Sequence, residues 1–418
     1  MMSCPPETSA GGFAESRKSV TDSPRYRLGL LEADYRPWTS VRGMSHPQSS
    51  DEHQLAAQIS PDLRQTALHT WHVAAGAKMA DFAGWHMPIE YPMGTVGEHR
   101  SVRAGCGVFD VSHMGTVRIV GAEAISKLNN LLTNDLNQLA NGQVQYTLLC
   151  NEDGGVVDDM LVTRLTADEV LLVPNAANTA TVLDILRSSM VESAIVDDSA
   201  STALIAVQGP GSPETLRAVG LSPELSYMTA AWQPYREGQV LVSRTGYSGE
   251  PGFELILPND LAVRLWEQLV DRPEVAPCGL GARDTLRTEM GYPLHGQDIG
   301  VDIDPIAARL SWAVDWDGEF RGKTALLHIK DQGPARVLRG VLLKGRGVPR
   351  PGMVVSEAGQ EVGIVTSGTF SPSLRQGIAL ALLDARIKPG VEVSVDIRGR
   401  DVIADVVSPP FVESSPRQ

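Results

Sequence analysis

The segment Asn151-Glu152-Asp153-Gly154-Gly155 separates two strand-like runs, 146–150 and 156–163, and restricts the fold more than any other feature of the chain. Asn, Asp and Gly tolerate the positive φ of a tight reversal, so the two runs predict an antiparallel hairpin. Further strands are predicted at 117–120, 170–173, 203–207, 239–244 and 253–257. Helices are predicted at 122–132, where Ile125, Leu128, Leu131 and Leu132 take helical spacing, and at 178–190, 212–219, 260–270 and 281–290. Hairpin-paired strands interleaved with helices predict α+β layers with largely antiparallel sheets rather than a doubly wound parallel sheet. After Pro334 the pattern changes to short strands broken by glycines, at 340–344, 352–355, 361–366, 377–383, 391–397 and 402–407. That pattern predicts an all-β terminal domain built as a small barrel.

Composition narrows the function. The 418 residues suffice for two or three domains, and the formal charge of -14 argues against a nucleic-acid scaffold, which needs a basic stripe to displace counterions from phosphate. The acidity lies mainly in 51–330, so any anion bound there requires locally placed cations. No stretch approaches the roughly 18 apolar residues of a membrane span. Cys4, Cys106, Cys150 and Cys278 form no C-x-x-C pair, which fits a reducing, cytoplasmic setting. Residues 1–62 are rich in Ser, Pro and Gly without a sustained period and read as a disordered leader outside the fold, with Met44 a candidate start. They lack the apolar core of a secretory signal and carry too many acids for a mitochondrial transit peptide. Dinucleotide, Walker A, H-E-x-x-H and G-x-S-x-G patterns are missing. His69 and His72 have no third ligand nearby and read as structural or surface residues, so no metal site is expected.

Three polar clusters are not explained by packing. Asp158 and Asp159 are adjacent on a predicted strand, so their side chains take opposite faces among aliphatic neighbours. Either is a candidate for acid/base work; the bland alternative has one facing solvent and the other capping the hairpin. Residues 244–254 carry Gly246, Gly249 and Gly252 between two strands, a loop that lets backbone approach a ligand, followed by Glu254, whose carboxylate can accept two parallel N–H donors. The alternative is a glycine-rich turn with an exposed glutamate. In Cys278-Gly279-Leu280-Gly281-Ala282-Arg283-Asp284-Thr285-Leu286-Arg287 a helix opens at the glycines with Arg283 and Arg287 on one face, able to clamp a carboxylate or to pair with Asp284 or Glu289.

Taken together, six blocks resemble the aminomethyltransferase (T-protein) family of the glycine cleavage system. They are residues 76–85, Gly107-Val108-Phe109-Asp110-Val111-Ser112-His113-Met114-Gly115, Gly154-Gly155-Val156-Val157-Asp158-Asp159, the 246–254 loop, the 279–287 helix start and Thr366-Ser367-Gly368-Thr369-Phe370-Ser371-Pro372. The resemblance spans about 66–412. It implies a three-domain folate-binding fold, with two interleaved α+β domains over 63–330 and a β-barrel over 334–413. It also implies transfer of the aminomethyl group from the dihydrolipoyl arm of H-protein to tetrahydrofolate, giving 5,10-methylenetetrahydrofolate and ammonia. Lipoylated H-protein and tetrahydrofolate are the implied partners, and the family's critical aspartate corresponds to Asp159. Tyr146, Asn175, Tyr247, Glu254 and Arg283 match positions associated with folate, Glu254 suiting the amidine-like pterin edge and Arg283 a carboxylate or carbonyl. Departures are few: relatives often have Leu at Thr288 and Tyr at His295. The rival readings are a same-fold demethylase of a methylated amine or sulfonium compound, and a folate-binding iron-sulfur assembly factor. Phe320-Arg321-Gly322-Lys323-Thr324 lacks the cysteine of the latter's signature.

Overall fold

The computed structural model describes residues 63–191, 193–414 and 416–417; the leader reading for 1–62, with Met44, lies outside them. The predicted hairpin forms from strands Val144–Cys150 and Val156–Arg164. The Asn151 side-chain carbonyl accepts from the backbone N–H of Asp153 at 3.0 Å and Gly155 at 2.8 Å, which closes the turn, while Gly154 takes φ 85°, a conformation cheap only for glycine. Gly155 obeys a different limit, because a Cβ there would lie 1.8 Å from the Val301 carbonyl oxygen. The hairpin end is thereby pressed against 300–303, where the Val156 N–H donates to the Gly300 carbonyl at 2.9 Å.

This hairpin begins a five-stranded antiparallel sheet in the order Val144–Cys150, Val156–Arg164, Glu169–Val173, Val117–Val120, Ala194–Asp197. Helices Ala124–Asn129 and Thr179–Ser189 cover one face and bury Leu128, Val182, Leu183 and Leu186 against it. A six-stranded sheet runs Ala230–Tyr235, Gly238–Ser243, Gly252–Pro258, Thr202–Gln208, Cys106–Asp110, Val275–Pro277, with the last pair parallel and the rest antiparallel. Helix Asn259–Val270 packs Leu261, Leu265, Trp266 and Leu269 on it, at the i, i+4 spacing of an amphipathic stripe. A third core, including Phe109, Leu171, Leu204 and Leu286, joins the two sheets to helix Leu280–Met290. The C-terminal region is a closed six-stranded barrel, Arg336–Leu343 to Asp401–Val407, filled by side chains including Val341, Val355, Leu383 and Val406. The α+β layers and terminal barrel expected from the sequence are therefore both present.

The differences have local causes. The helix expected over 122–132 spans only Ala124–Asn129. Helix Gly94–Ala104 carries two glycines, and its buried positions include Glu98 and His99, so no apolar stripe announces it. Strand Ala230–Tyr235 contains Pro234, tolerated because the strand lies at the sheet edge.

Helix Leu280–Met290 is tied to the barrel by buried charge. Arg287 donates to Asp298 at 2.8 Å and to the Ser367 hydroxyl at 2.8 Å, and pairs with Asp284 at 2.7 Å. Glu289 accepts from the Ser371 hydroxyl at 2.5 Å and from Arg103 at 2.8 Å, with His99 at 3.2 Å. Burial opposes ionisation of Glu289, but the hydrogen bond and charge of His99, the Ser371 hydroxyl and Arg103 outweigh it and hold the carboxyl at about 2.

Gly155→Ala should cost roughly 1 to 3 kcal/mol by urea denaturation, since backbone must move to admit the methyl. Gly300→Ala, where a Cβ would meet nothing within 4 Å, should stay within about 0.5 kcal/mol. Because the folded-state pKa of Glu289 is depressed, its contribution to stability is present above the ordinary value of 4.5 and lost as pH falls towards about 2. Over that window Glu289→Gln should unfold with a flatter pH dependence than the parent, measured by thermal melts.

Candidate functional site

Strand Val156–Arg164 outruns its neighbour. Glu169–Val173 pairs with it only up to Leu161 opposite Val173, so the Asp158–Asp159 edge has no strand beside it. Asn175 fills that edge: its side-chain N–H₂ lies 2.9 Å from the Asp159 carbonyl oxygen, 2.8 Å from Asp159 Oδ1 and 2.8 Å from Asp158 Oδ1, and its backbone N–H donates to Asp158 Oδ2 at 3.0 Å. Asp159 Oδ2 accepts from the Tyr146 hydroxyl at 2.9 Å, across the hairpin. Asp159 faces a cavity, whereas Asp158 is fully buried behind it. The bland reading of a solvent-facing and a capping carboxylate thus fails for both. Burial raises the pKa of both aspartates, Asp158 to about 7 with the Asp159 charge adding to the rise; for Asp159 the Tyr146 hydroxyl and His295 act in the opposite sense.

The cavity has a volume of about 1070 Å³ and receives all six residues singled out in the sequence: Tyr146, Asp159, Asn175, Tyr247, Glu254 and Arg283. Glu254 emerges from strand Gly252–Pro258 and accepts from the Thr245 hydroxyl at 2.6 Å. Tyr247 is pinned by donation to the Pro293 carbonyl and stacks on Tyr292, and the Arg283 guanidinium lies 4.7 Å from its ring centre. Arg283 and Arg287 divide their tasks: Arg287 is committed to Asp284, Asp298 and Ser367, while Arg283 forms no salt bridge among the described residues and is exposed to the cavity. Burial lowers the pKa of Arg283, with Glu254 and Tyr247 partly offsetting it, and the group stays a fixed cation.

The glycines of the 244–254 loop answer to packing more than to ligand approach. A Cβ on Gly246 or Gly252 would come within 2.1 or 2.3 Å of the Gln208 side-chain amide, which plugs the loop from below by donating to the Thr245 and Phe253 carbonyls. His72 is buried between Asp110 at 2.9 Å and the Tyr91 hydroxyl at 2.8 Å, the structural one of the two roles, structural or surface, expected of it.

Other cavity residues carry no site role from the sequence, His113, Trp312, Asn178 and His295 among them. His113 is buried with no partner for Nδ1 among the described residues, and burial, reinforced by Arg283 against the opposing Asp110 charge, lowers it to about 4, so the ring is neutral. Trp312, 66% exposed, stacks on Tyr146 with ring centres 5.3 Å apart. Asn178 and His295 line the wall beside the aspartates. Asn178 offers a local signal, its i, i+3 relation to Asn175 ahead of a helix, and His113 falls within the 107–115 block. The cavity also admits Arg309, Arg339 and Arg417, the locally placed cations that an acidic body requires for an anionic ligand.

A family model described as the GCVT N-terminal domain matches residues 68–318, and one described as the glycine cleavage T-protein C-terminal barrel domain matches 336–413. The aminomethyltransferase of Parafrankia sp. (strain EAN1pec) is 52% identical over 363 residues, covering 85% of this chain and 100% of the relative. That of Mycobacterium tuberculosis (strain ATCC 25618 / H37Rv) is 48% identical over 359 residues, covering 84% and 98%. Among solved structures, the glycine cleavage system aminomethyltransferase T from Bartonella henselae superposes with a TM-score of 0.80 at 37% identity, covering 84% of this chain and 99% of the other.

A ligand filling the cavity must displace water from the exposed face of Trp312. Tetrahydrofolate, the ligand implied by the sequence resemblance, should change the tryptophan emission saturably, and Trp312→Phe should remove most of that change.

Proposed function

The chain belongs to the glycine cleavage T-protein family and is an aminomethyltransferase, and from that premise we propose how its cavity carries out the transfer. The donor is the aminomethyl group on the dihydrolipoyl arm of H-protein, the acceptor is tetrahydrofolate, and the products are 5,10-methylenetetrahydrofolate, ammonia and the free dihydrolipoyl arm. The folate supplies the two amine nitrogens that take up the one-carbon unit, and their two N–H protons balance the departing thiol and ammonia. The protein's work is placement and charge.

The observation that carries this reading is the convergence of Asp159, Tyr146, Asn175, Tyr247, Glu254 and Arg283 on one cavity of about 1070 Å³, large enough for a folate-sized molecule. Asp159, oriented by Tyr146 and Asn175, is the carboxylate that meets the reacting amines, holding a proton-bearing nitrogen or the positive charge that develops as the carbon is transferred. Glu254, held by Thr245, offers a carboxylate to an amidine-like heterocycle edge. Arg283, braced over Tyr247, offers a cation to a carboxylate or carbonyl. Arg309, Arg339 and Arg417 suit the anionic end of a folate. The buried free thiols of Cys106, Cys150 and Cys278 suit a reducing, cytoplasmic setting. No helix among the described residues is long and apolar enough to cross a membrane.

The test supplies aminomethyl-loaded H-protein and tetrahydrofolate and follows ammonia and methylenetetrahydrofolate; the absence of folate-dependent ammonia release sinks the reading. Asp159→Asn should lower kcat by roughly 10² or more while folate affinity stays within about tenfold. Glu254→Gln should act mainly on folate affinity, read by titration.

A further inference from the structure

Behind the cavity wall lies a polar chain that the transfer reaction does not use directly. Asp158, with no exposed surface, receives only donors: the Asn175 backbone N–H on Oδ2 at 3.0 Å, and the amides of Asn175 at 2.8 Å and Asn178 at 2.6 Å on Oδ1. The Asn178 amide also reaches His295 Nδ1 at 3.0 Å, and His295 Nε2 lies 3.0 Å from the Val156 carbonyl oxygen. A carbonyl only accepts, so Nε2 carries the hydrogen. An amide N–H₂ only donates, so Nδ1 accepts. For the neutral ring the tautomer is thus fixed, and both hydrogens of the Asn178 amide then have defined acceptors, Asp158 and His295.

Asn175 is more heavily committed. Its two amide hydrogens serve three oxygens, one from Asp158 and two from Asp159, so neither carboxyl can change charge without altering the donor available to the other. We propose that Asp158, anchored through Asn178 to His295, is a positioning residue that sets the charge of Asp159 through the shared Asn175 amide, so that the two carboxyls titrate as one unit. This rests on the proposed role of Asp159 as an anion. Two carboxylates beside one donor resist double ionisation, and the rise of Asp158 to about 7 agrees with that. The titratable groups facing the pair are Tyr146 from the adjoining hairpin strand, Tyr247 from the 244–254 loop and His295 from the segment after helix Leu280–Met290. Asn175 and Asn178 supply the remaining contacts, and neither titrates.

The pH profile of kcat/KM for the loaded H-protein reaction tests this, because its acidic limb reports the ionisation of Asp159 in the free enzyme. Asp158→Asn removes the like charge and should move that limb down by roughly one pH unit or more. Asn178→Ala removes a donor from the charged form of Asp158, keeps that neighbour neutral to higher pH and should move the limb down as well, by a smaller amount. A merely structural role would lower activity in both variants with the limb unmoved, and an unmoved limb, or an upward shift in either variant, overturns the proposal. If Asp158→Asn fails to fold by circular dichroism, the direction of the Asn178→Ala shift decides alone. Loss of folate-dependent turnover in the parent protein would instead sink the reading of the reaction itself.

Discussion

Arg287 is the interaction on which the functional region hangs. A guanidinium keeps its charge at any accessible pH, so one that is 1% exposed must be neutralised and hydrogen-bonded where it lies. Here Asp284 comes from its own helix, Asp298 from the following segment and Ser367 from the barrel, so one buried cation fixes three parts of the chain at once. Asp298 also accepts from the Leu294 N–H at 2.9 Å and from the Thr366 hydroxyl at 2.5 Å, which sets the path of 291–298. That path carries His295 to the aspartates and the Pro293 carbonyl to Tyr247. Removing Arg287 would strand the buried charge of Asp298, a loss of several kcal/mol by the usual scale of such pairs.

The second organising fact is a mismatch of strand lengths. Where Glu169–Val173 stops, the longer neighbouring strand still has backbone groups to satisfy, and Asn175 meets that need while reaching both carboxylates. An unpaired stretch of strand edge is normally a cost. In this molecule it is the place where a polar site can be built without breaking a ladder.

Much of the fold could be read from the chain because local signals and tertiary packing agree there. The 151–155 turn, the stripe on Asn259–Val270 and the glycine-punctuated barrel strands each report their own geometry. What stayed hidden depends on distant partners: Gly94–Ala104 is held by buried ion pairs and hydrogen bonds, and Ala124–Asn129 stops short of its apolar spacing. For the site, alternation along a strand placed Asp158 and Asp159 on opposite faces but gave no means of choosing between them, and that choice came from the family resemblance. His113 lay inside the 107–115 block and His295 was a departure from relatives, but neither these nor Trp312 could be given a role from the chain, since what matters about each is a neighbour more than 30 residues away in sequence or an unpartnered ring nitrogen that only packing creates.

Gln208 changes how the loop above it should be regarded. Its amide already holds the Thr245 and Phe253 carbonyls, and Gly246 and Gly252 leave room for it, so the segment presenting Tyr247 and Glu254 is ordered before any ligand arrives. Ordering a flexible loop on binding costs conformational entropy for each residue immobilised, and that cost is deducted from affinity. A loop plugged from beneath has met it during folding. The site is therefore preorganised on this wall, and binding free energy remains available for aligning what binds there.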